Sequence, residues 1–195
     1  MEEEIAWIQR ALAGDQEAFA CLVKAYQTAV YNLAYRMLGN AAEAEDAAQE
    51  TFLRAYTRLN TYDSERKFSS WLLTIASHHC IDRLRQRRLG WLSLDELPPW
   101  RWLASGSRPE EVVIRSEERD EVRQLLAQLP PHYRAAVILR YWHDLSYQEI
   151  AEAMETTESA VKSTLHRARR MLAQGDLAHQ NRQAVGVVQR AVAEG

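Results

Sequence analysis

The stretch that decides the fold is Asp144 to Leu172, DLSYQEIAEAMETTESAVKSTLHRARRML. Ser146 with Glu149 three residues later is a capping box, which predicts a helix starting near Tyr147. Ile150, Ala151 and Met154 give that helix an apolar face at helical spacing. Glu155-Thr156-Thr157 interrupts the pattern, and Thr156 or Thr157 caps a second helix. Its inner face is Ala160, Val161, Leu165, Ala168 and Leu172. Its outward positions are Ser159, Lys162, Ser163, His166, Arg167, Arg169 and Arg170. Charge is asymmetric: Glu149, Glu152, Glu155 and Glu158 come first, then the bases. A short helix, a brief turn and a polar-basic helix form the helix-turn-helix pattern. Small polar side chains near the helix start approach base edges, and Lys and Arg farther along meet phosphates. Capping and periodicity alone serve a bundle hairpin with a solvated basic face equally well.

Outward from that stretch, the chain of 195 residues has room for one large or two small domains. A net charge of −3 excludes a uniformly basic nucleic-acid coat, so DNA contact must come from local patches. The balancing acid is then available to a protein partner. Cys21 and Cys80 are the only cysteines. Both stand among helical apolar residues, which predicts two buried thiols rather than a disulfide or metal site. There is no long apolar run, and Met1 is followed by three glutamates rather than a signal peptide. A cytoplasmic location is expected.

No strand-like alternation or internal repeat occurs, so the expected fold class is all-α. Ile5, Ile8 and Leu12 predict an amphipathic helix ending at Gly14. Asp15 caps the next helix, which runs to about Leu38 and turns Phe19, Leu22, Val23, Tyr26, Val30, Leu33, Ala34 and Met37 inward; Gly39 stops it. Asn40 with Glu43 repeats the capping box and opens a helix to about Leu59. Its core stripe is Ala44, Ala48, Phe52, Ala55 and Leu59, and its opposite face carries Asp46, Gln49, Glu50 and Arg54. Asn60 to Lys67 is polar and turn-rich, so a loop with little apolar anchoring is expected. A helix from about Phe68 to Arg88 should be buried broadly in its first half and on one edge in its second. Arg83, Arg85, Arg87 and Arg88 crowd its end. A helix dipole, worth ~0.3–1 kcal/mol, does not call for four arginines, and a phosphate track accounts for them better.

Residues 90–115 break periodicity and hold Pro98, Pro99, Pro109, Trp91, Trp100 and Trp102, as a linker would. A charged helix is expected from Ser116 to Leu129, with Val122, Leu125, Leu126 and Leu129 apolar. The helix after Pro130-Pro131 carries Ala135, Val137, Ile138 and Tyr141 on its apolar side. The organisation that follows is a first domain over 1–89, a linker over 90–115, a helix-turn-helix domain over 116–172 and a tail over 173–195. A short helix from Gln183 to Val192 is expected in the tail.

The word AVKSTLHRARRML is similar to the recognition helix of bacterial sigma factors of the extracytoplasmic-function (ECF) group, where T-V-K-S-R-L-x-R-A-R is typical. Asn40 to Leu59, NAAEAEDAAQETFLRAYTRL, is similar to the helix that such factors dock on the RNA polymerase clamp. Phe68 to Arg88, FSSWLLTIASHHCIDRLRQRR, resembles their promoter-melting and minus-ten-reading region. Three matches in the right order make the resemblance specific, over roughly Phe19 to Arg88 and Glu118 to Leu172. Departures are also present. Glu155 stands where the turn usually has Gly, and a left-handed residue there is strained as Glu. Thr164 replaces a frequent Arg, His78 a frequent Asn, and Trp71-Leu72 stands where primary sigma factors have a Trp pair.

The resemblance implies a promoter-specificity subunit of RNA polymerase with sigma region 2-like and region 4-like domains. Its partners would be the core enzyme, at the beta-prime clamp and beta flap, promoter DNA, and an anti-sigma factor that holds the chain at the membrane. Core-binding residues would be Asp46, Gln49, Glu50 and Arg54. Minus-ten recognition and melting would use Asn60, Lys67, Phe68, Trp71, His78, Arg83, Arg85, Arg87 and Arg88. The upstream element would be read by Ser159, Lys162, Ser163, Thr164, His166, Arg167, Arg169 and Arg170. No cofactor, metal or small-molecule substrate is implied. The rival is a stand-alone helix-turn-helix regulator, which needs a dimerisation or effector module. An enzyme is disfavoured: there is no phosphate-binding Gly-rich loop or nucleophile elbow. His78-His79-Cys80 cannot chelate one ion well, because adjacent helical residues point in different directions.

Overall fold

A computed structural model of the chain describes residues 2–92 and 122–174, with side chains over 3–87 and 122–174. The side chains of Arg88 and Trp91, the linker residues Pro98, Pro99, Trp100, Trp102 and Pro109, positions 116–121 of the expected charged helix and the expected tail helix lie outside the described residues. All regular structure among the described residues is helical. The elements are α1 (Glu2–Leu12), α2 (Gln16–Leu38), α3 (Ala41–Thr57), a 3₁₀ turn (Leu59–Thr61), α4 (Phe68–Leu92), α5 (122–127), α6 (Pro131–Trp142), α7 (Tyr147–Ala153) and α8 (158–174).

Local signals place most of the boundaries. The Asp15 carboxylate accepts from the Glu17 and Ala18 amides, and Asn40 Oδ1 accepts from the Glu43 amide. Gly39 ends α2 at φ 75° and sends its N–H to Tyr35 O, a left-handed stop that costs glycine nothing. Pro131 occupies the first turn of α6, where a missing N–H is harmless. The helices α2, α3 and α4 pack around Leu22, Leu33, Met37, Leu72, Ala76 and Cys80, all nearly sealed from solvent. A second centre gathers Leu126, Leu129, Ile138, Leu139, Ile150, Val161 and Leu165 from α5–α8. The two centres meet where α6 and α7 lie against α2 and α4.

Arg134 of α6 sits at this junction, 9% exposed. It donates to Met37 O (2.5 Å) at the end of α2, to Ala127 O (2.8 Å) at the end of α5 and to Leu129 O (3.3 Å) just beyond it. Helix C-termini leave carbonyls unpaired, and the planar guanidinium serves two such ends at once. Burial, with Arg87 nearby, pulls its pKa down to about 10.

Some expectations fail. In α1 the inward residues are Ile8 and Ala11, on the face that meets α2 and the 3₁₀ turn, while Ile5 and Leu12 are 53% and 46% exposed. That helix also ends at Leu12, with Gly14 left-handed just beyond. Cys80 is buried but Cys21 is exposed on α2. The exposed Tyr141 and Val122 do not belong to the core. Helix α3 stops at Thr57 and tightens into the 3₁₀ turn, and α4 runs through Gly90 to Leu92. The 60–67 segment is better anchored than its polarity suggests. Tyr62 packs on Phe68 and Trp71, with ring centroids 5.4 Å away in both cases, and its hydroxyl donates to Arg66 O.

Candidate nucleic-acid interface

The helix-turn-helix is built by its caps. Ser146 Oγ accepts from the Glu149 amide (3.1 Å) and Glu149 Oε2 accepts from the Ser146 amide (2.8 Å), closing the capping box. Helix α7 ends in a paired closure: Thr156 N–H reaches Ala151 O and Glu155 N–H reaches Glu152 O. This is the Schellman arrangement, which requires a left-handed residue at Glu155, where φ is 51°. Glycine fits that position without strain, so Glu155 carries a conformational cost. Of the two candidate threonines, Thr157 caps α8, accepting from the Ala160 amide.

Helix α8 presents Val161, Leu165 and Ala168 to the core and Ser159, Lys162, Ser163, His166, Arg167, Arg169 and Arg170 to solvent. Thr164 is half-buried. Every outward position expected from the sequence is therefore outward. Lys162 lies 3.9 Å from Glu158, and its ammonium is 5.5 Å from the centre of the Tyr147 ring.

The other basic surface is differently made. Arg66 pairs with Asp63 (3.5 Å) and, across the junction, with Glu152 of α7 (3.2 Å). Glu149 Oε1, the oxygen not engaged with the Ser146 amide, takes Lys67 (3.1 Å) and the Ser70 hydroxyl (3.1 Å). Partial burial disfavours the Glu149 carboxylate, but its bonds from Ser146, Lys67 and Ser70 outweigh that and hold its pKa down to about 2. Farther along α4, Arg83 approaches Asp46 (3.9 Å), Arg87 pairs with Glu43, and Arg85 lies 3.8 Å from Asp82. Arg85 also donates to the His132 ring of α6 (2.5 Å). Burial and Arg85 depress the His132 pKa, so the ring is neutral near pH 7 and accepts that bond.

Of the residues expected to act at the minus-ten element, Lys67 and Trp71 line one cleft with Ser70, Thr74, the α7 cap Ser146 and Glu149 of α7. His78 lies a turn farther along α4, outside that lining. Phe68 is 2% exposed, clamped among Tyr26, Tyr62 and Trp71, so it braces the loop from below instead of facing DNA. Asn60 is exposed. On α3, Asp46 and Gln49 are exposed, and Glu50 pairs with Arg54 at 2.6 Å. Beside them stand Leu53, 60% exposed, and Tyr56, 42% exposed, which sequence reasoning did not single out. Two apolar residues on an otherwise polar face are the signal that could have found them.

Comparison with known proteins matches residues 22–89 to Sigma-70 region 2 and residues 119–172 to Sigma-70, region 4. The ECF RNA polymerase sigma factor SigW of Bacillus subtilis is 39% identical over 172 residues, 85% of this chain and 92% of SigW. The chain belongs to the ECF sigma factors. The RNA polymerase sigma-H factor of Pseudomonas aeruginosa is 32% identical over 175 residues, 86% of this sigma factor and 91% of its relative. The fold of this sigma factor is that of CnrH, solved in complex with the cytosolic domain of CnrY. The TM-score is 0.67 at 24% identity, over 90% of this chain and 98% of the other. The sigma factor RpoE of Bartonella quintana, solved with the anti-sigma factor NepR, has a TM-score of 0.64 at 20% identity, over 80% and 94%. This sigma factor is thus an alternative sigma factor acting with RNA polymerase. Among its described residues no helix is long and apolar enough to cross a membrane.

Proposed function

We propose that this sigma factor carries RNA polymerase core enzyme to promoters by a three-part division of labour. The Asp46, Gln49, Glu50 and Arg54 face of α3 docks on the beta-prime clamp, with Leu53 and Tyr56 supplying its apolar contact. Helix α8 reads the upstream element, with Lys162, Ser163 and His166 toward base edges and Arg167, Arg169 and Arg170 on phosphates. The 60–67 loop, Trp71, His78 and the arginines of α4 serve the minus-ten element and melting. The observation that carries the reading is the α8 face, on which the basic and small polar residues turn outward while the apolar ones pack inward.

The region 4-like domain meets the beta flap. The protein has no catalytic activity of its own, works in the cytoplasm, and is restrained by an anti-sigma factor, as the CnrY and NepR complexes of its structural neighbours suggest. Relatives named as RNA polymerase sigma factors do not favour a stand-alone regulator. The test is reconstitution. The chain should co-purify with core enzyme and drive run-off transcription from a subset of genomic fragments, and exchanging Asp46 and Glu50 for Lys should weaken core binding while the fold survives. Tight promoter binding by a homodimer without core would overturn the reading.

A further inference from the structure

Tyr147 is the first residue of α7, fixed there by the Ser146–Glu149 capping box. Its ring lies at the meeting point of three elements. Lys162 Nζ of α8 stands 5.5 Å from the ring centre, and the Arg140 guanidinium of α6 stands 5.2 Å from it. Arg140 is itself tied to the α6–α7 turn through Leu145 O (2.9 Å). The Lys162 ammonium thus rests between the Tyr147 ring and the Glu158 carboxylate (3.9 Å). A lysine has four rotatable bonds and a point charge, so by itself it selects bases poorly. One held against an aromatic face samples fewer directions, and discrimination between bases depends on that restriction.

We infer that Tyr147 is a specificity-positioning residue: its ring confines Lys162 to one arc and so sets base preference at the upstream position Lys162 faces. This rests on the assignment of α8 to base reading. Tyr147 need touch no base to do this; it acts through Lys162. The required feature is the ring and not the hydroxyl. Arg140 keeps the ring in place by occupying it from the turn side of the motif.

The test uses holoenzyme, assembled from core enzyme and the chain, on a duplex library randomised over the upstream element with a fixed minus-ten element. Tyr147→Leu should cut preference at a single position about two- to fivefold, the range of one exposed cation–ring contact. The other positions and the melting temperature should hold. Tyr147→Phe should retain the wild-type preference. Lys162→Met should flatten the same position, and adding Tyr147→Leu to it should change nothing further, as coupled residues require. Unchanged preference in Tyr147→Leu, with Lys162→Met flattening one position, overturns the inference alone. Equal loss at every position, or the same loss in the Lys162→Met background, overturns it too. A Lys162→Met protein with full preference refutes base reading by this residue, and the inference falls with it.

Discussion

Arg167, Arg169 and Arg170 on α8 stand in solvent with no acid in ion-pair range among the described residues, whereas every described Lys and Arg from Arg66 to Arg87 has a partner. Among the described residues, Lys162 is the one cation of α8 with a nearby carboxylate. The glutamates of the helix-turn-helix account for the partners of Arg66 and Lys67, while Asp46, Asp82 and Glu43 of α3 and α4 hold Arg83, Arg85 and Arg87. Glu149 and Glu152 lie on α7 and turn away from the α8 face toward the 66–70 segment. Counterion release from unpaired arginines drives DNA binding directly. A paired cation must first exchange a carboxylate for a phosphate, and only the difference remains. One surface is therefore ready to bind, whereas on the other each cation must first give up its carboxylate.

The largest expected effect strikes the junction that separates the two behaviours. Arg134→Ala removes the donor shared by Met37, Ala127 and Leu129 carbonyls. Stability should fall by about 2–4 kcal/mol in urea titration, as for other buried charged groups that serve several acceptors. A loss under about 1 kcal/mol would mean the junction contributes little and the pairing around it is incidental.

Next comes Glu149→Gln, which weakens the cap and the Lys67 bond together. Near neutral pH it should cost about 1 kcal/mol, the usual scale for a helix N-terminal contact. The folded carboxylate titrates at about 2, below its ordinary 4.5. Its stabilisation is therefore present above pH 4.5 and lost as pH falls toward 2. Thermal melts of the two proteins should converge over that window. A gap that does not shrink at all between pH 5 and pH 2.5 would assign the effect to packing instead of charge.

A direct challenge to the contrast is salt dependence. Arg170→Ala should lower the slope of log affinity against log salt by about one unit for all upstream elements alike. Arg87→Ala, which removes a cation already held by Glu43, should lower it by less than half of that. Equal slopes would erase the distinction between unpaired and paired surfaces. The smallest effect sharpens the motif itself. Glu155→Gly should raise stability by roughly 0.5 kcal/mol, since relief of the left-handed strain exceeds glycine's extra chain entropy. Destabilisation would show that the Glu155 side chain contributes something its backbone angle conceals.

What was legible in the sequence was what neighbours in sequence decide. Ser146 with Glu149, Asp15, Gly39 and Pro131 each act within a turn of themselves, and each sits where local rules put it. The α8 face was legible because periodicity fixes both sides of a helix at once. Partners from far along the chain were not. Arg87 meets Glu43 of α3, Lys67 meets Glu149 of α7, and Arg134 meets the end of α2. No local pattern announces these, so a row of arginines looked like an open phosphate track. Tyr62 was overlooked for a related reason: one aromatic in a polar octapeptide anchors it only because Phe68 and Trp71 converge there. Ile5 and Leu12 misled because periodicity shows where an apolar stripe lies but not how much of it a neighbour covers.

The two cysteines carry a practical consequence. Burial pushes the Cys80 thiol up to about 12, and its side chain is sealed in the core of α4. Cys21, on the solvent side of α2, has no such shelter. Cys21 is within reach of reagents and Cys80 is not, so an alkylating dye should label Cys21 and spare Cys80. The unmodified sequence thus carries a single addressable reporter on the α2 side of the junction. A second dye on α8 would turn the distance between the two halves into a fluorescence signal.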